Sequence, residues 1–203
     1  MSIVQKKKNI HELHDAAAKS GYSPLLEIST KSEATVGVRL SAFSLKYKFR
    51  GSEVPLEAIF QGSKVFENGG PFHDIYEKTA IEAKKDIRIR NHGKIVYFNL
   101  YGDIFPNTPL TSFYDWVYAK CLYPHADWLR KLHDFAGFTD IEFNPEKSLN
   151  CQARSFAIFI ALQKLNLLEE AMGSFERFVS IVYQGDPTTI HRNKELHLIS
   201  KSV

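Results

Sequence analysis

The chain has 203 residues, and 26 Lys plus Arg against 23 Asp plus Glu leave a formal charge of +3. Hydrophobic residues make up 44% of it and aromatic residues 13%, enough for a packed core, which excludes a disordered or collagen-like chain. The near-neutral balance does not by itself mark a nucleic-acid protein, and the longest apolar run, Phe156 to Leu162, falls far short of the ~18 residues a membrane span needs.

In chain order, Lys6 to Lys19 predicts a helix with Ile10, Leu13 and Ala17 on one face and Gly21 just past its end. No apolar run follows Lys6-Lys7-Lys8, so no secretory signal is expected. Extended stretches are predicted over Leu25–Ser29, Val36–Leu40 and Leu45–Phe49. Pro55 opens a helix to about Phe66, and Asn68-Gly69-Gly70-Pro71 breaks it. Thr79-x-x-Glu82 is a capping-box pattern for a helix to about Arg88, and Ile95–Leu100 reads as a strand. Helices are expected from Ser112 to near Pro124, over Ala126–Ala136, over Cys151–Leu165 and over Leu168–Tyr183, with a short strand at Thr139–Phe143. Helices flanking a small sheet make an α+β, mainly helical single domain over residues 1–183, followed by a polar extension over 184–203. Such a domain is expected to be soluble and cytoplasmic.

Several chemistries are poor fits. The chain has no G-x-G-x-x-G and no G-x-x-x-x-G-K-[ST], and Gly62-Ser63-Lys64 lacks the upstream glycine. His11-Glu12-Leu13-His14 puts Asp15 where a zincin needs its second histidine, and no G-x-S-x-G elbow occurs. Cys121 and Cys151 lie far apart without a C-x-x-C, suggesting neither a disulfide framework nor a zinc module.

The segment Leu56–Phe66 is the most informative. On the predicted helix Glu57, Gln61 and Lys64 fall at i, i+4 and i+7, so their side chains share one face of an otherwise apolar rod. A narrow polar stripe of this kind lines a cleft or forms a solvated Glu/Lys edge, and spacing alone leaves both open.

Leu40-Ser41-Ala42-Phe43, then Glu57-x-x-Phe60-Gln61-x-x-Lys64, then Ile81-Glu82-Ala83-Lys84, resembles the NADAR superfamily. Phe113 to Tyr118 sits where that family has its tryptophan helix, and Asn150-Cys151-Gln152-Ala153-Arg154-Ser155 where an Asn precedes its last core helix. Gln5 to Ile10, Leu26 to Ser32, Phe60 to Pro71 and Phe138 to Ser155 are most similar to the NADAR antitoxins of DarT/DarG toxin–antitoxin pairs. Two positions depart from the general pattern: Asn144 is followed by Pro145 with no Trp-Gly beyond, and the Ser-Asn-Phe strand is Ser41-Ala42-Phe43.

The resemblance implies an antitoxin enzyme, an N-glycosidase that removes ADP-ribose from guanine bases in DNA, without metal or organic cofactor. Lys64 would trap the opened ribose as a Schiff base and Glu57 would act as general acid/base. The implied substrate-binding residues are Lys31, Ser32, Ser41, Phe43, Gln61, Gly69, Gly70, Trp116, Asn150 and Arg154. Read from the residues alone, the segments around Lys31 and Gly69 are diphosphate contacts or ordinary turns, and Trp116 stacks on a base or belongs to the core. Asn150 is a ligand or an N-cap, and Arg154 pairs a phosphate or a carboxylate. The implied partners are ADP-ribosylated DNA, with its guanine single-stranded or flipped, ADP-ribose, and the cognate DarT-type toxin, with no membrane. Lys78 to Lys94 carries six basic residues against Glu82 and Asp86, a local excess that fits phosphate contact or a solvated face. Other readings remain: an N-glycosidase acting on a small metabolite, or a non-catalytic module that binds ADP-ribose or the toxin.

Overall fold

A computed structural model describes residues 2–49, 51–146 and 148–183, and the expected polar extension lies outside the described residues. The elements in order are α1 Ile3–Lys19, β1 Leu25–Glu27, α2 Thr35–Arg39, β2 Lys46–Phe49, β3 Ser52–Pro55, α3 Leu56–Gly62, β4 Lys64–Phe66, α4 Ala80–Lys85, β5 Ile95–Leu100 and β6 Asp103–Pro106. They continue with α5 Ser112–Leu122, α6 Ala126–Leu129, β7 Gly137–Thr139, α7 Gln152–Lys164, α8 Leu168–Gly173 and α9 Phe175–Val182. The fold is α+β. β1 pairs with β7 in parallel, β2 and β3 form a hairpin, and β4-β5-β6 make an antiparallel sheet. No described helix is long and apolar enough to cross a membrane.

The core lies among α3, α5, α7 and the three-stranded sheet. Ile59, Phe113, Tyr118, Phe156 and Phe159 are nearly inaccessible, and Phe98 of β5 stacks on Phe113 with ring centres 4.2 Å apart. Full burial of large aromatics of this kind is worth roughly 1.5–3 kcal/mol each. The capping box is realised: Thr79 accepts from Glu82 N at 3.3 Å, and Glu82 accepts from Thr79 N at 2.9 Å.

The structure corrects the sequence reading at several elements. Val36–Leu40 is helical rather than extended, with α2 over Thr35–Arg39 and Leu40 at its C-cap; the chain passes so close to Glu27 and Ser32 that position 37 has no room for a side chain. The helix opened by Pro55 stops at Gly62, after which Lys64–Phe66 pairs with β5. A Cβ at Gly62 would stand 2.6 Å from the Tyr76 ring, so this helix end needs glycine for packing. The expected 126–136 helix is one α turn with a 3₁₀ turn behind it, the 139–143 strand lies at Gly137–Thr139, and the last helix breaks at Ser174, which caps α9. β3 and β6 complete hairpins whose first strands alone were expected.

Candidate active site

A cleft of about 700 Å³ opens between α3, β5, the start of α5 and the stretches 140–144 and 148–152. That is within the size range of small-molecule sites, roughly 300–1,000 Å³. Glu57, Gln61 and Lys64 all line it. Pro55 holds the N-cap of α3, so Glu57 falls in the first turn, where the helix dipole favours a carboxylate. Gln61 is one turn further, and Lys64 is the first residue of β4, paired with Phe98.

Lys64 thus reaches the stripe from a strand rather than from the helix. The turn at Gly62–Ser63 is short enough to leave the three side chains in line: Gln61 Nε2 donates to Glu57 Oε1 at 2.7 Å and Lys64 Nζ donates to Gln61 Oε1 at 2.6 Å. All three residues are less than 9% exposed. Nζ also lies 4.4 Å from the centre of the Phe60 ring. Burial lowers the Lys64 pKa from 10.5 to about 8, with Glu57 opposing the shift and Lys84 assisting it. The result is a cleft-lining amine with a substantial neutral fraction near neutrality, one amide away from a carboxylate.

The walls are cross-tied. Asp140 accepts from Gln152 N at 3.1 Å and from Gln152 Nε2 at 3.2 Å, while Gln152 Oε1 accepts from Ala42 N at 2.6 Å. This chain joins the start of α7 to the turn that carries Phe43, and burial pushes the Asp140 carboxyl up. Glu142 accepts from Lys6 Nζ at 3.0 Å and from Thr30 Oγ1 at 2.7 Å, which fixes α1 and the loop after β1 against the same wall; these bonds outweigh burial and hold its carboxyl down.

Of the other residues proposed from sequence, Phe43 and Asn150 line the cleft, and Lys84 Nζ lies 4.9 Å from the centre of the Phe43 ring. Lys31 sits beside the wall, with Nζ 3.7 Å from Glu142. Ser32 is buried behind α2, and Ser41 is buried with its Oγ 3.0 Å from that of Ser44. Gly69 and Gly70 form the turn after β4; Gly70 has φ +89° and passes directly over the Lys64 carbonyl, where no side chain fits. Trp116 lies in the core, its ring centre 5.1 Å from Phe105 and 5.7 Å from Phe175. Arg154 pairs with Asp115 and donates to Thr111 Oγ1 at 3.0 Å.

Residues not proposed from the sequence as site residues also face the cleft: Phe60, Lys84 and Arg90, which belong to its motif or basic run, and Tyr114 and Asp140. Asp140 and Tyr114 both lie in segments that carry the resemblance, so their neighbourhood was legible although their orientation was not. Lys84 is solvent-exposed and stands at the edge of the cleft, where α4 packs beside α3. Among the described residues no group of three or more His, Cys, Asp or Glu is placed to hold a metal.

The model of the DarT1-associated NADAR antitoxins matches residues 1–192, most of the chain. The chain belongs to that family. A search of curated proteins gives no match. The Glu57–Gln61–Lys64 array therefore lines a cleft of a NADAR-family antitoxin.

Proposed function

We propose that this NADAR antitoxin removes ADP-ribose from guanine bases in DNA, opposing a DarT-type toxin. The observation that carries the reading is the buried line Glu57–Gln61–Lys64, in which an amine with its pKa lowered to about 8 shares a cleft with a carboxylate. The bond to be cleaved joins the ribose anomeric carbon to a guanine nitrogen. When the ribose opens, a proton from solvent goes to the ring oxygen and the anomeric carbon becomes an iminium of guanine. The neutral Lys64 amine adds to that carbon. Glu57 takes the proton Lys64 loses and passes it to the guanine nitrogen, which departs as the free amine. The lysine Schiff base then adds water, releasing ADP-ribose and the amine, and Glu57 ends as the carboxylate it began as.

Gln61 keeps the two charged groups in line while separating them, so that the amine is not locked into a direct ion pair. Lys84 and Arg90 at the cleft add positive charge suited to a diphosphate and a DNA backbone. Incubating the purified protein with an ADP-ribosylated single-stranded oligonucleotide, and separately with free ADP-ribosylguanosine, tests the reading. Release of ADP-ribose with unmodified DNA regenerated is expected. Binding without release, or release from the small nucleoside alone, overturns it.

A further inference from the structure

Four tyrosines are buried among the described residues, and three of their hydroxyls are bonded. Tyr118 donates to Leu40 O at 2.5 Å, Tyr76 OH lies 2.8 Å from Ser63 Oγ, and Tyr183 donates to Asp115 at 2.5 Å. The fourth is Tyr114, in the first turn of α5 and 4% exposed, whose hydroxyl takes no partner from any described residue. Buried polar groups are nearly always satisfied, so an exception calls for an explanation. Sealing inside the core is not the explanation, because the fully enclosed orphans among the described residues are Ser112 Oγ and Trp116 Nε1. Tyr114 lines the cleft instead.

Its position there is specific. The Tyr114 ring meets Phe60 edge-on with centres 5.0 Å apart, and Phe60 is the ring over which Lys64 Nζ lies at 4.4 Å. Glu57 is the charged group that acts on it most strongly. Burial and that carboxylate keep the phenol protonated at every pH the enzyme would work at, so it is a permanent neutral donor.

We infer that the Tyr114 hydroxyl hydrogen-bonds the substrate itself, donating to a ribose oxygen beside the carbon that Lys64 attacks. The inference rests on the proposed function and names a further residue in contact with the substrate. No proton changes owner at Tyr114: the bond strengthens as charge grows on that oxygen and relaxes when ADP-ribose leaves. Its donor is the hydroxyl alone, so the ring keeps its packing when the oxygen is removed.

Tyr114→Phe is the matching perturbation. Losing a donor of this kind should lower kcat on ADP-ribosylated DNA by ~10²-fold and weaken ADP-ribose binding about tenfold, with the position of the pH profile unchanged. Melting temperature should hold or rise, because an unpartnered hydroxyl contributes nothing to the free fold; a structural hydroxyl would lower it. Turnover and ADP-ribose affinity both within twofold of the unmodified protein overturn the inference. So does a fall in melting temperature that accounts for the lost activity. If the unmodified protein releases no ADP-ribose, the proposed function fails, and ADP-ribose calorimetry on the two proteins decides Tyr114 separately. Equal affinities, or no binding by either, sink it.

Discussion

A pH–rate profile probes the buried amine most finely. Lys64 is 8% exposed, gives a hydrogen bond to Gln61 and lies over Phe60, and burial holds its pKa at about 8 instead of 10.5. At pH 7 a group titrating at 8 is neutral in about one molecule in eleven, whereas at 10.5 it is neutral in about one in three thousand. Desolvation therefore raises the nucleophilic fraction ~300-fold. Initial rates of ADP-ribose release, followed from about pH 6 to pH 10, should climb roughly tenfold per unit below 8 and level off above it. Lys84→Gln removes a like charge that pushes the Lys64 pKa down, so the rising limb should move to higher pH and the rate at pH 7 should fall. A flat profile, a midpoint near 10.5, or a limb displaced to lower pH in Lys84→Gln would refute the reasoning.

Glu57→Gln keeps shape and hydrogen-bonding capacity but carries no proton, so turnover should drop ~10²-fold or more while calorimetry shows ADP-ribose affinity largely kept. Lys64→Met should trade activity for stability. The folded-state pKa of Lys64 lies below its unfolded value, so the unfolded chain holds more protons between pH 8 and 10.5; the burial penalty is complete below 8, at most about 3 kcal/mol, and fades as pH rises. After subtracting about 1 kcal/mol for the donor Gln61 loses, urea unfolding at pH 7 should find the methionine variant more stable by on the order of 2 kcal/mol, with the gain shrinking at pH 10. On the surface, Lys85→Glu and Arg90→Glu should each weaken binding to modified DNA and reduce its salt slope by about one unit. Arg88→Glu should instead destabilise the fold, because Arg88 is already paired with Asp74 and Asp86, and a melting curve separates the two outcomes.

Much of the site was legible because its residues are close in sequence. Glu57, Gln61 and Lys64 were grouped by helical spacing, and the grouping survives although Lys64 sits on a strand, since a tight turn at Gly62–Ser63 and a helical turn both bring a residue three positions on back over Gln61. The helix boundary was missed because the deciding contacts, Tyr76 against Gly62 and Phe98 opposite Lys64, come from distant parts of the chain. The same holds for α2, whose Val-Gly-Val pattern favours a strand, while the contact that marks its place in the fold, Gly37 against Glu27 and Ser32, comes from other segments. Trp116 and Arg154 show the limit of reading single residues: one is enclosed by Phe105 and Phe175, the other paired with Asp115, and neither neighbour is apparent from local pattern. Likewise the basic run Lys78–Lys94 overstated the free charge, because Lys78 and Arg88 are both bonded to Asp86.

Covalent trapping at Lys64 bears most directly on the chemistry. Borohydride added during turnover of an ADP-ribosylated oligonucleotide reduces a lysine Schiff base to a stable secondary amine, which peptide mass spectrometry locates. An ADP-ribose-derived mass is expected on the peptide containing Lys64. It should be absent from Lys64→Arg, whose guanidinium stays protonated and forms no imine, and that variant should be inactive while still binding ADP-ribose. An adduct on another lysine, or an active Lys64→Arg protein, would contradict the assignment and leave Glu57 assisting attack by water.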